Sequence, residues 1–215
     1  MTKMPIFKVK FFRLLLCLTT ISWPIYGFNV ASTNLSNLSS PVKWALSKQC
    51  MLKVNGSTNI NKFSCVIPEY ELPDTLTIGK ETNRQRVKIS GSMVLGVQKF
   101  DCKNPMMTSD LRKILKAKSF PRLIITFEDL SSYPDPANPG VAIKGFVTIE
   151  LAGAVKRFEV DYQYVMAAEK RLRMTGTKTL HFSDFNIVPP KRLGGMIKTN
   201  NELNVEFMLN IKILN

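Results

Sequence analysis

Beyond Pro41 the chain alternates between apolar and polar side chains, the mark of strands with one face in a core and one in water. The last run is the cleanest. Leu203, Val205, Phe207, Leu209, Ile211 and Ile213 are apolar, Asn204, Glu206, Asn210 and Lys212 between them are polar, and Met208 is the one exception. Leu52, Val54 and Gly56 form another such face before a Ser57-Thr58-Asn59 turn, and Phe63, Cys65 and Ile67 alternate with Lys62 and Ser64. Val87 and Ile89 flank Lys88 in a run that continues to Val97, and Leu123 to Phe127 is more continuously apolar. Val141 to Leu151 and Lys156 to Met166 flank Ala152-Gly153-Ala154, which predicts a hairpin. Leu172, Met174 and Gly176 alternate with Arg173 and Thr175. One stretch has helical spacing: Leu111, Ile114, Leu115 and Ala117 follow a Thr108-Ser109-Asp110 cap and stop at Phe120-Pro121. A second short helix is indicated near Ser183 to Ile187.

The sum is about eight strands with one inserted helix and hairpin-like connections, hence an all-β antiparallel architecture. Long alternating strands favour closure into a barrel, because closure removes unpaired edges. Tyr133 to Gly140 (YPDPANPG) is a stiff loop between strands, not a domain linker.

The first residues follow a different rule. Lys3, Lys8, Lys10 and Arg13 precede an apolar run from Leu14 that continues through Ile25, and small Gly27 follows. A basic head, a short apolar middle and a small exit residue predict a secretory signal peptide over 1–27, with export to the periplasm. Trp23-Pro24 interrupts the run, which is short for a membrane span. Cys17 lacks the small residues that precede a lipidation site and reads as one more apolar residue of the signal. Residues 28–43, Ser/Asn-rich and aperiodic, read as a flexible leader, and 44–215 as the folded domain.

Charge and composition narrow the function. The 215 residues carry a net charge of +14. Residues 1–27 hold four of the basic groups and no acidic one, which leaves +10 for the remainder. A strongly basic exported protein suits an anionic membrane surface or anionic head groups, whereas nucleic acid is an improbable partner outside the cytoplasm. The single imidazole, His181, leaves no multi-histidine metal site, and Ser183 and Asp184 are too close to it in sequence for a triad built from separate segments. Asp110 reads as a helix cap, and Glu159 and Asp161 share an outer strand face. No catalytic set, metal site or cofactor motif emerges. Gly194-Gly195, beside Lys191 and Arg192, is either a turn or a basic loop at a barrel mouth.

Three cysteines remain beyond the signal. Cys65 (NKFSC) and Cys102 (QKFDC) share one local context, Lys-Phe-X-Cys, and the parity of an inward Phe. That match favours a Cys65–Cys102 disulfide in an oxidising compartment, with Cys50–Cys65 as the competing bridge. Cys50 shares parity with Leu52 and Val54 and reads as a buried free thiol. The interior of such a barrel is either filled or hollow. Candidate inward, ligand-facing residues are Phe63, Phe100, Ile125, Phe127, Phe146, Tyr162 and Phe207, with Val160 beside them.

Four segments in order resemble one family. Ser47 to Cys65 (SKQCMLKVNGSTNINKFSC) is similar to the opening hairpin of the YceI-like, lipocalin-like domain of exported bacterial proteins. Phe100 to Phe127 follows, with FDC, Met107, Asp110, Leu111, Leu115 and Phe120-Pro121 before an Ile-rich strand. Ile143 to Ile149 with Val155-Lys156 resembles the family's strand–turn–strand, and Gly176 to Lys198, with Asp184-Phe185-Asn186-Ile187, its segment before the last strand. The resemblance spans residues 44–214. It implies an extended eight-stranded lipocalin-like barrel crossed by a helix, a channel for a long isoprenoid or similar lipid, and a binding rather than catalytic role. Where many members carry a His-Ser dipeptide in the first strand and a further His beyond it, this chain has Cys50-Met51-Leu52-Lys53-Val54, then Asn59 and Asn61. Head-group contacts through those histidines are therefore not carried over. The expectation is an exported lipid- or isoprenoid-binding carrier without enzymatic activity. The alternative is a filled-core periplasmic interaction or stress-response module that binds a protein partner.

Overall fold

A computed structural model describes residues 41–71, 74–79, 86–168 and 170–214. The predicted signal peptide, and the leader up to residue 40, lie outside the described residues. Among the described residues there are twelve strands and one α-helix. The strands are β1 (Val42–Leu46), β2 (Met51–Thr58), β3 (Lys62–Ile67), β4 (Thr75–Ile78), β5 (Val87–Ser90), β6 (Ser92–Gly96), β7 (Arg122–Leu130), β8 (Ile143–Leu151), β9 (Ala154–Ala168), β10 (Arg171–His181), β11 (Lys191–Arg192) and β12 (Ile197–Leu214). Strand β1 begins two residues inside the stretch read as leader.

All pairings are antiparallel, and the β1–β12 ladder closes the sheet into a ring. Twelve strands make an eight-stranded wall because three of the staves are bent into two strands each and the short β11 lies off the wall, paired only with β12. β1 and β2 lie end to end along β12, from Lys43↔Leu214 to Thr58↔Thr199, with a corner at 47–50. β3 and β4 turn the same corner beside them, with β3 on β2 and β4 on β1. β5 and β6 both lie on β7 and are separated by Gly91, whose φ of +138° turns the strand. A Cβ at that position would stand 2.7 Å from a Leu76 methyl.

The ring is continuous where β4 pairs β5, but β3 and β6 diverge and form no ladder with each other. Other groups cross this gap. Val66 and Asp101 exchange both backbone hydrogen bonds at 2.8 Å. The Val94 N–H donates to the hydroxyl of buried Tyr70, and the Tyr70 hydroxyl in turn donates to Asp74. The Cys65–Cys102 disulfide ties β3 to the segment entering the helix, as the matched sequence contexts predict, and Cys50 is free and buried.

Helix α1 (Pro105–Ile114) is tied to β3 through the disulfide and closes this end of the interior with Leu111 and Leu115. It starts earlier than the apolar spacing predicts. Asn104, not the Thr108–Asp110 group, is the cap: its side chain accepts the Met107 N–H, and Pro105 occupies the first turn, where no N–H is needed. Thr108 instead accepts the Cys102 N–H within the core, and Asp110 points across to Arg192. The short helix near Ser183 is a single 3-10 turn, Phe182–Phe185, whose Asp184 carboxylate accepts the His181 N–H at 2.7 Å. The β8–β9 hairpin turns on Ala152 and Gly153, both at positive φ, as a tight two-residue connection requires.

The end of the barrel formed by β1, β4 and β5 is filled. Trp44, Tyr162, Leu172 and Met174 are almost wholly buried, and Tyr162 and Phe127 meet Phe207 edge-on at 5.7 and 6.3 Å. Phe207 fits because its cross-strand partner is Gly176: a Cβ there would stand 2.4 Å from the ring. On the outer wall, Lys144 pairs with Glu159 and Asp161, in keeping with the outer face expected for those carboxylates.

Candidate functional site

Above Phe207, toward α1, the interior is not completely filled. A cavity of about 70 Å³ remains, walled by Phe100, Leu111, Leu115, Ile125, Phe185 and Phe207 among others, and every surface it offers is apolar. One charged residue joins this wall. Lys178 follows Leu172, Met174 and Gly176 on the inward parity of β10 and stands opposite Val205. Its alkyl stem supplies the contact, in the usual manner of a long basic side chain whose head reaches water.

A second pocket of about 280 Å³ opens at the mouth, between α1, the β2–β3 tip and the 188–199 segment. Ile60, Phe63, Met106, Met107, Ile114 and Ile197 line it, with Asp110 and Arg192 at its edge. Leu111 and Phe182 line both spaces and so form the partition between them. Arg192 clasps the far side: its guanidinium pairs with Asp110 and contacts Met106, joining the loop to the helix across the opening. On its opposite flank α1 borders a broad open groove edged by Lys103, Lys113, Lys116 and Lys118.

The sequence-predicted residues divide among these places. Phe100, Ile125 and Phe207 line the inner cavity, and Val160 joins them. Phe63 is at the mouth, half-buried, its ring laid over Gly56 of β2. Phe127 and Tyr162 belong to the filled end, packed on Phe207. Phe146 corrects the expectation. It faces outward, because Ile143, Gly145, Val147 and Ile149 take the inward positions of β8. Outside, its ring is held between the guanidiniums of Arg157, at 3.6 Å, and Arg86, at 4.9 Å. Lys178 was missed by the sequence reading, although extending the Leu172–Gly176 alternation by two residues finds it. Met106 was hidden by starting the helix too late, and Met107 entered only through the family resemblance.

Titration behaviour follows the same division. Burial pushes the Tyr162 phenol far above its ordinary value, with the nearby Asp129 charge adding to the effect. Burial likewise raises the Cys50 thiol, against the lowering effect of its contact with the Asn210 backbone. Glu128 on the wall is lowered, chiefly by the hydrogen bond from Thr148 and then by Arg157. His181 is exposed at the end of β10, with its ring 3.6 Å from the carboxylate of Asp184. Among the described residues, no three His, Cys, Asp or Glu side chains lie close enough together to hold a metal ion.

No protein-family model matches the sequence, and no curated protein matches it. Solved structures do. BcnA of Burkholderia cenocepacia superimposes with a TM-score of 0.57 at 10% identity, over 77% of this chain and 96% of that one. A polyisoprenoid-binding domain from Saccharophagus degradans implicated in plant cell wall breakdown aligns with a TM-score of 0.50 at 13% identity, over 79% and 97%. A YceI protein of Campylobacter jejuni aligns over 63% of this chain and 80% of its own, at 14% identity and a TM-score of 0.43. At these identities the first two likenesses show the fold alone: a closed, lipocalin-like, eight-stranded antiparallel barrel.

Proposed function

We propose that the protein is an exported, non-catalytic carrier that holds a long apolar chain, an isoprenoid or similar lipid, in the helix-covered half of its barrel. The observation that carries this reading is the apolar space under α1, which shares the side chains of Leu111 and Phe182 with a largely apolar mouth. Ligand pockets commonly measure about 300–1,000 Å³. The mouth alone is just below that range and the inner cavity far below it, so a long chain requires the partition to part. Helix α1 is suited to yield, because it closes the interior with the side chains of Leu111 and Leu115 and is not itself a strand of the wall. Moving it breaks side-chain contacts rather than a row of backbone hydrogen bonds. The likeness to a domain described as polyisoprenoid-binding supports the choice of ligand class. The basic head of residues 1–27 supports a periplasmic location.

The small inner volume favours a second reading, a filled-core module that binds a protein partner. Native mass spectrometry of the protein recovered gently from cells, followed by solvent extraction, separates the two. A released long-chain lipid is the expected result. A bare polypeptide mass, unchanged after incubation with membrane lipid extract, overturns the carrier reading in favour of the second.

A further inference from the structure

The mouth is rimmed by side chains that a soluble surface does not ordinarily show together. Nine large apolar residues among those described are well exposed, and five of them belong to three neighbouring tips. Ile60 is on the β2–β3 turn, Met106 begins α1, and Val188, Leu193 and Met196 are on the loop between β10 and β12, the last three 78%, 66% and 71% exposed. The tips are fastened to one another. Asn59 exchanges hydrogen bonds with Met196 and Lys198 at 2.9–3.0 Å, and Arg192 ties the loop to α1. They form one patch, of the kind that marks an interaction site. At its crest, Leu193 takes a φ of +50°, which bulky residues avoid, and Gly194 and Gly195 follow at positive φ with nothing within 4 Å of where their Cβ would be. The backbone thus holds a leucine outward at an open tip.

Charge identifies the partner. The two-residue β11 ladder sets Lys191 directly opposite Lys198. Like charges in that position repel. Both are exposed, and neither has an ion-pair partner among the described residues. Lys62 flanks the β2–β3 tip and Lys113 the groove beneath Val188, while Asp110, the acidic residue at the mouth itself, is already taken by Arg192. Exposed apolar tips above unpaired lysines are complementary to an anionic bilayer, with apolar side chains below the head groups and ammonium groups among the phosphates. No helix among the described residues is long and apolar enough to cross a membrane, and this docking requires none.

We propose that the barrel mouth docks on an anionic lipid surface through Ile60, Met106, Leu193 and Met196, with Lys191 and Lys198 reading the phosphates. The proposal rests on the lipid-carrier reading and adds how the cargo's membrane is met: the mouth is presented to the bilayer directly. The test uses sedimentation with phosphatidylcholine vesicles with or without phosphatidylglycerol. Wild type should bind the anionic vesicles and release them in high salt. K191E/K198E should lose on the order of thirtyfold in partitioning. Leu193→Ser with Met196→Ser, at exposed positions where folding is insensitive, should lose about tenfold. Leu193→Trp should be quenched by brominated lipids. Equal vesicle binding by wild type and K191E/K198E, an unquenched Trp at 193, or a concentration-dependent dimer abolished by the Leu193/Met196 variant would overturn it. Lipid retention by native mass spectrometry on the same variants separates the two readings. Cargo kept while vesicle binding never occurs rejects the docking alone, and wild type that never carries lipid rejects the carrier.

Discussion

At the end built on β1, β4 and β5, the barrel is a complete ring around a filled aromatic core. At the end under α1, the ring is interrupted between β3 and β6 and fastened by other means: one bridge, one disulfide and a tyrosine hydroxyl, with the helix closing the interior. The first end uses repeated ladders and packing, which cannot be undone piecemeal. The second uses individual fasteners, which can. A wall needing both rigidity and an opening is expected to divide in this way, since low-stability elements are where motion is available.

Phe207 is where the two halves meet, floor of the cavity and roof of the packed aromatics. Phe207→Ala should therefore have the largest effect, a loss of about 3–5 kcal/mol in urea unfolding. Phe63→Ala at the half-buried mouth should cost clearly less. Equal losses would mean that the mouth is as firmly packed as the floor and would break the comparison.

Next in size is the disulfide, which closes a loop across 37 positions. The double variant Cys65→Ala/Cys102→Ala should lose about 2–4 kcal/mol in the chain-entropy view. Hydrogen exchange should rise in β3, β6 and α1 while β8, β9 and β10 stay protected. Uniform deprotection would show that the seam is not a separate unit.

What the sequence disclosed follows the same boundary. Continuous wall was legible: β10, the β8–β9 hairpin and, but for Met208, β12 from Leu203 onward alternate because each strand has water on one side and core on the other. The disulfide was legible because two strand ends repeat one context. Bent staves were not, since the corner at 47–50 and the turn at Gly91 arise from tertiary pairing with β12 and β7, and short segments such as β1, on β12, and β4, on β1 and β5, owe their existence as strands to such pairing. The helix start was misjudged because apolar spacing begins at Leu111, whereas the first turn, Pro105 to Thr108, faces the mouth and a buried backbone amide instead of a continuous core. Phe146 was misplaced by reading every strand phenylalanine as inward. Parity with Gly145 would have corrected it, because glycine at an inward position leaves room for the Tyr162 ring.

The filled end also has a pH signature. Tyr162 keeps its proton in the folded state well beyond the pH at which the unfolded chain, with a phenol near 10.0, loses it. The native state then binds more protons than the unfolded one, so stability is fully present below about pH 10 and falls by roughly 1.4 kcal/mol per unit above it. Urea midpoints measured on either side of that value should show the decline, and Tyr162→Phe should flatten it. A decline of the same slope in Tyr162→Phe would assign the effect elsewhere.

The smallest expected effect on stability belongs to the Arg192–Asp110 clasp, and it is the most informative about access. Both side chains are more than a third exposed. A pair so hydrated is worth about 0–1 kcal/mol, so Arg192→Gln should shift the melting temperature by no more than about 2–4 °C. On the proposed carrier reading its position would give it a kinetic role that its energy does not suggest, because it links the 188–196 loop to α1 over the opening, whereas the disulfide anchors the segment entering α1 to β3. Uptake of a hydrophobic fluorophore followed by stopped flow should therefore be faster in Arg192→Gln at nearly unchanged stability. Were uptake to accelerate only when the disulfide is removed, ligands would enter through the seam between β3 and β6 rather than through the mouth, and the wall, not the rim, would be the gate.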